Sequence, residues 1–192
     1  MAVDKITRMK DLSLSTRDQF MVPLENLRIE NGHNPRNYDL PENQAHLLSL
    51  MESIRANGTL IPLLIRFDPQ EKVGIIVDGE CRFLANLKLK SEGVEIKAIP
   101  CISVRANDPV ERLILALTAN TGKPLSKWEA GGAFVRLNKL GWSTTAIADK
   151  LGFSLRYITE AMELTDAPEA VKQLLSARAI TPALALDQIR KS

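Results

Sequence analysis

With only two histidines, two cysteines and 5% aromatic residues, this 192-residue chain is poorly supplied for several kinds of chemistry. His33 and His46 are too few for a histidine metal centre or a catalytic triad. Cys81 and Cys101 have no metal-ligand spacing, and two thiols do not make a disulfide framework, so a reducing cytoplasm is the simplest setting. No apolar run reaches the roughly 18 residues of a membrane span, and the N-terminus has no secretory apolar segment. No charge of one sign dominates either. The net charge is +2. Residues 1–100 carry 13 Lys/Arg and 14 Asp/Glu, a net of −1, and residues 101–192 carry 12 and 9, a net of +3. The second half is therefore the better place for an acidic partner. Repeats and low-complexity segments are also lacking.

What the chain does have is the composition of a globular protein, 45% apolar and 25% charged, long enough for one large domain or two small ones. Residues 1–19 are polar and read as a flexible arm. Residues 20–105 alternate strand and helix. Phe20–Leu24 with Leu27 and Ile29 predicts a strand leading into a turn-rich loop at 30–36. Pro41-Glu42 opens a helix with Leu47, Leu48, Leu50, Met51 and Ile54 on its apolar face, stopped by Asn57-Gly58. Leu60–Ile65, Val73–Val77 and Ile96–Val104 predict strands. Residues 106–192 are helical. Val110, Leu113, Ile114, Ala116 and Leu117 line one helix, Asn120–Pro124 breaks the pattern, and Ser126 with Glu129 has capping-box spacing for the next. Further helices start near Pro168 and Thr181-Pro182. The chain stops at Ser192 early in the last one, as a fragment of a longer protein would, or as a protein that simply ends there.

Two stretches carry chemistry. The first is Asp78-Gly79-Glu80-Cys81-Arg82-Phe83-Leu84-Ala85, where a strand runs through Gly79 straight into a helix starting near Glu80. Gly79 permits a sharp turn and a close backbone approach. The free N–H groups of the first helical turn attract anions, and Arg82 offers a planar fork suited to phosphate. A plain strand-turn-helix with a surface arginine fits the same residues. The second stretch is 143–163. Ser143 or Thr144 caps a helix with Ile147, Ala148 and Leu151 inward, Gly152 supplies a left-handed turn, and Ser154 caps a second helix with Tyr157, Ile158 and Met162 inward. This is helix-turn-helix spacing. Arg156, Tyr157, Thr159, Glu160 and Ser154 are placed to meet bases, with Ser143, Thr144, Lys150 and Arg178 on phosphates. An ordinary helical hairpin is the alternative, and with so few basic residues a single copy should bind weakly.

The order of these elements resembles the ParB family of partition proteins, with its KorB-like transcriptional relatives, over roughly residues 20–186. Asn34-Pro35-Arg36 looks like the family's first box. Ser53–Pro62 looks like its serine–isoleucine, Asn-Gly and proline segment. Gly79–Ala85 matches the Gly-Glu-Arg-Arg-x-Arg-Ala box, with Cys81 and Leu84 in place of two arginines. Residues 143–158 lie where the family's DNA-reading helices lie.

The resemblance implies a mixed α+β architecture, a small ParB/sulfiredoxin-like α/β domain followed by an all-α domain. It also implies CTP with Mg2+ and a homodimer that clamps DNA at a palindromic, centromere-like site. Gly79, Glu80, Cys81 and Arg82 would then meet the triphosphate, and Thr59, Leu60, Ile61 and Pro62 the base. Asn120 would help hold the metal, with Lys123 replacing an arginine. Ala119 stands where the family has the Glu associated with hydrolysis, so at most slow CTPase activity is expected. A ParA-type ATPase would bind the 1–19 arm, and the protein would be cytoplasmic, on nucleoid or plasmid, with no membrane partner. Two alternatives remain, a KorB-like regulator with no nucleotide role and an enzyme like sulfiredoxin or a free-serine kinase. The enzyme reading needs Cys81 to have a lowered pKa at the helix N-terminus.

Overall fold

The computed structural model describes residues 19–30, 34–105, 108–118 and 123–191. Most of the expected arm, together with Ala119 and Asn120, lies outside these residues. The order is β1 (Gln19–Val22), a 3-10 turn at Leu24–Asn26, β2 (Leu27–Ile29), α1 (Pro41–Asn57), β3 (Leu63–Asp68), β4 (Val73–Asp78), α2 (Glu80–Ser91) and β5 (Ile99–Ser103). Helices alone follow: α3 (Pro109–Thr118), α4 (Lys127–Lys139), α5 (Thr144–Leu151), α6 (Leu155–Thr165), α7 (Glu169–Ser176) and α8 (Pro182–Lys191). The class is the expected one, a mixed sheet with helices followed by a helical region.

The five strands lie in the order β1-β5-β3-β4-β2. β1 pairs antiparallel with β5, β5 parallel with β3, β3 antiparallel with β4, and β4 parallel with β2. The single strand expected near residue 20 is thus two strands on opposite edges of the sheet, parted by the turn after Pro23. The strand expected from Leu60 begins only at Leu63. Leu60 and Ile61 stand out from the surface at 74% and 67% exposure, because Pro62 has no N–H to give a ladder. Leu48, expected on the buried face of α1, is exposed, whereas Met51 and Ile54 are buried.

One core lies under the sheet, where Leu24, Leu27, Leu63, Ile65, Ile76, Ile99 and Cys101 receive Phe83 from α2. α1 and α2 pack through Met51, Ile54, Ala85 and Leu89. The helices build a second core from Leu113, Phe134, Leu137, Ile147, Ile158 and Ala161. α4 and α6 cross so closely at Gly131 that a Cβ there would lie 1.9 Å from the Ala161 carbonyl oxygen. α3 joins the two parts. Its Leu113 enters the helical core, while its Arg112 reaches Glu30 (Nε to Oε2, 3.1 Å), which also faces Arg66 of β3 at 3.8 Å.

Candidate nucleic-acid interface and anion pocket

Serine caps define the two helices of the 143–163 stretch. The Ser143 hydroxyl accepts from the Ala146 N–H (3.1 Å) and starts α5, and the Ser154 hydroxyl accepts from the Tyr157 N–H (3.1 Å) and starts α6. Between them Gly152 has φ +72°, a left-handed conformation that reverses the chain in a few residues. Leu155, Arg156 and Thr159 are exposed on the first turns of α6, and Lys150 is exposed at the end of α5. Tyr157 is half-buried, stacked on Phe153 at 4.7 Å with Lys127 over its ring.

Glu160 and Arg178, both expected on DNA, are held by side chains of other elements. The Glu160 carboxylate accepts from Lys127 of α4 (2.5 Å) and from Arg156 (2.8 Å). These hydrogen bonds, Lys127 first, lower its pKa to about 2. Arg178, beyond α7, pairs with Glu42 at the start of α1 and so ties the helical region to the sheet region.

The strand-to-helix turn also forms as expected. Gly79 has φ +93°, and a Cβ there would sit 2.9 Å from Leu63 Cγ and 3.0 Å from an Arg82 nitrogen. Whereas serine side chains cap α4, α5 and α6, no side chain caps α2. Its first-turn N–H groups remain available to an anion. Arg82, beside that end, is already engaged. It donates to the carbonyls of Ile61 (3.0 Å) and Pro62 (2.7 Å) and pairs with Asp78 at 2.7 Å. From the same helix, buried Asn86 exchanges hydrogen bonds with the Thr59 hydroxyl. Arg82 and Asn86 therefore hold the 59–62 segment in place.

Besides Arg82, the cations Arg36 and Lys123 stand at the α2 terminus. Both act on the Cys81 thiol, yet burial outweighs them and pushes its pKa up, opposite to what a reactive thiol needs. Burial likewise raises Glu80, against a hydrogen bond from Asn34, and lowers His46 with help from Arg36 and Lys123. Asn34 also donates to the Tyr38 hydroxyl at 2.9 Å. The pocket is therefore walled by the Asn34–Tyr38 loop, Lys123 and the first turn of α2. Among the described residues no cluster of His, Cys, Asp and Glu could hold a metal ion.

No family model matches the chain. It is 31% identical over 163 residues to a nucleoid occlusion protein of Bacillus cereus, and equally to one of Bacillus anthracis. Each match takes in 83% of this chain and 52% of the relative, so the chain spans about half the length of these proteins. Among solved structures it aligns with the C-terminally truncated partitioning protein ParB of Caulobacter crescentus in complex with its centromeric parS site. That alignment has a TM-score of 0.58 at 22% identity and covers 90% of this chain and 84% of that one. A Pnob8-like ParB-N domain aligns with a TM-score of 0.60 at 16% identity, over 89% and 78%. The chain carries the ParB fold.

In this ParB-like chain the pocket is joined to the helical region by a buried polar network. The Asn43 side-chain oxygen accepts from Arg36 (3.2 Å) and from Lys123 (2.5 Å). Its amide nitrogen donates to the Asn37 carbonyl (2.7 Å) and to Glu129 of α4 (2.9 Å). Glu129 closes the capping box with Ser126. The sequence reading has Arg36 and Asp78 only as members of motifs and gives no role to Asn43 or Asn86. The available signal was an asparagine within each of two helices that otherwise bury apolar residues, where an amide needs partners.

Proposed function

We propose that this ParB-like chain binds double-stranded DNA through α5 and α6 as a helix-turn-helix, and binds CTP with Mg2+ at the N-terminus of α2. As a homodimer it would close on a palindromic, centromere-like site. The observation that carries the reading is the serine-capped α5–Gly152–α6 pair with Leu155, Arg156 and Thr159 exposed at the start of α6, in a chain that shares the fold of a ParB complexed with parS. Arg156 and Thr159 would meet base edges, Leu155 a thymine methyl, and Lys150 and the Ser143/Thr144 turn the phosphates. Glu160 acts through Arg156, whose guanidinium it orients.

At α2 the first-turn N–H groups, Arg36 and Lys123 would receive the triphosphate, and Thr59, Leu60, Ile61 and Pro62 would border the base. Mg2+ would be held by the phosphates, Glu80 and Asn120. Arg82 is a positioning residue for the 59–62 segment. A ParA-type ATPase docking on residues 1–19 belongs to the same proposal.

Titration calorimetry with CTP, ATP and GTP in Mg2+ tests the nucleotide half. CTP is expected to bind selectively, and Lys123→Gln to weaken it about tenfold through loss of a charged hydrogen bond. Absence of binding to any nucleotide by the folded chain overturns this half. The protein would then be a KorB-like regulator with no nucleotide role, a reading favoured by Arg82 being already engaged by Asp78.

A further inference from the structure

We propose that a cleft between α4, α7 and the Asn34-Pro35 segment is a second anion site, built to take a phosphate group. It shares Asn34 with the wall of the α2 pocket but is otherwise lined from the helical region, and it does not depend on the nucleotide reading. The cleft has a volume of about 510 Å3, and its lining includes Asn34, Trp128, Glu129, Gly132, Arg136 and Lys172. That volume is in the range of small-ligand sites.

Three features of the lining point to an anion. Arg136 is half-buried, and burial lowers its pKa, yet its guanidinium has no hydrogen bond or ion pair with any described residue. Lys172, also half-buried, has none among the described residues either. Elsewhere in the helical region Lys127, Arg178 and Arg190 are each paired with a carboxylate. Partly desolvated cations without acceptors are costly, so an anion entering the cleft gains their hydrogen bonds. Second, the carboxylate in the lining is already used. Glu129 Oε1 accepts from Asn37 and Asn43, and Oε2 from Ser126. Third, Gly132 lies inside α4, where glycine weakens a helix. Its neighbour Gly131 is explained by the α6 crossing, but a Cβ on Gly132 would meet nothing within 4 Å. Gly132 leaves the cleft open.

A guanidinium fork beside an ammonium suits the several oxygens of a phosphate. The phosphate could come from a free phosphorylated molecule or from a DNA backbone.

The test uses the full chain with Trp142→Phe, so that Trp128 in the cleft is the remaining indole. Titration with inorganic phosphate at constant ionic strength should give a saturable fluorescence change. Arg136→Gln and Gly132→Leu should each weaken it about tenfold or more, while Arg82→Ala leaves it in place. Gly132→Leu enters open space and should fold, which a thermal melt checks. In parallel, binding to mixed-sequence duplex DNA is followed against salt. A salt slope that falls by about one in Arg136→Gln assigns the phosphate to DNA. An unchanged slope with an intact phosphate response in the parent assigns it to a free ligand. If neither the fluorescence nor the slope responds to Arg136→Gln and Gly132→Leu, the proposal is overturned. A failed CTP titration leaves this outcome untouched, because no variant here alters Lys123.

Discussion

Asn43 holds two cations on one amide oxygen while its amide nitrogen holds Glu129. Asn43→Leu removes one acceptor each of Arg36 and Lys123 and one donor of Glu129, within a largely buried site. Denaturant unfolding should show a loss of about 3 kcal/mol, the usual cost of breaking such a buried charged network. Glu160 makes a prediction about pH. Its folded-state pKa, about 2, lies below the ordinary value of 4.5. Its ion pairs with Lys127 and Arg156 therefore stabilise the fold above pH 4.5, and that contribution is lost as pH falls toward 2. Thermal melts across this window should show a shallower acid limb for Glu160→Gln than for the parent.

The adjacent glycines of α4 should respond in opposite directions. Gly131→Ala drives a methyl against the α6 backbone, which cannot yield, and should cost roughly 3 kcal/mol or more, with loss of the α4–α6 packing. Gly132→Ala adds a methyl in open space inside a helix and should stabilise by up to about 1 kcal/mol. Comparing both unfolding midpoints with the parent checks the pair. Two neighbouring residues of one type thus act through different surroundings, one through a helix crossing and one through helix propensity.

Across the whole molecule, the proposed reading has the helical region meet DNA with few cations to neutralise phosphate. Binding should be weak for one copy and only moderately salt-dependent. Lys150→Ala should lower the salt slope by about one, and Arg156→Ala should cut affinity for a specific site while changing non-specific binding less, both measurable by fluorescence anisotropy. Glu42–Arg178, Asn43–Glu129 and Glu30–Arg112 all cross between the sheet region and the helices. On the proposed reading, DNA at α6 and an anion at α2 would act on parts joined by polar contacts as well as by apolar packing.

Local patterns were enough for much of this. Pro41 at a helix start, the Ser126–Glu129 capping box, Ser143 and Ser154 as caps, Gly79 and Gly152 as left-handed residues and the Val73–Val77 strand were legible because each depends on interactions within a few residues. That β1 and β2 occupy opposite edges of one sheet was not legible, because both have the same apolar composition and only pairing with β5 and β4 separates them. The partners of the charged side chains were hidden for the same reason. Arg82 reads as a phosphate ligand until Asp78 and the Ile61 and Pro62 carbonyls claim it, and Arg36 joins Lys123 only when segments 87 residues apart meet. The sequence by itself determined where helices, caps and turns fall, since these depend on short-range hydrogen bonds and periodicity. Only the tertiary structure decided which cations are paired and which face a cleft without an acceptor, since electrostatic partners are set by distance in space rather than along the chain.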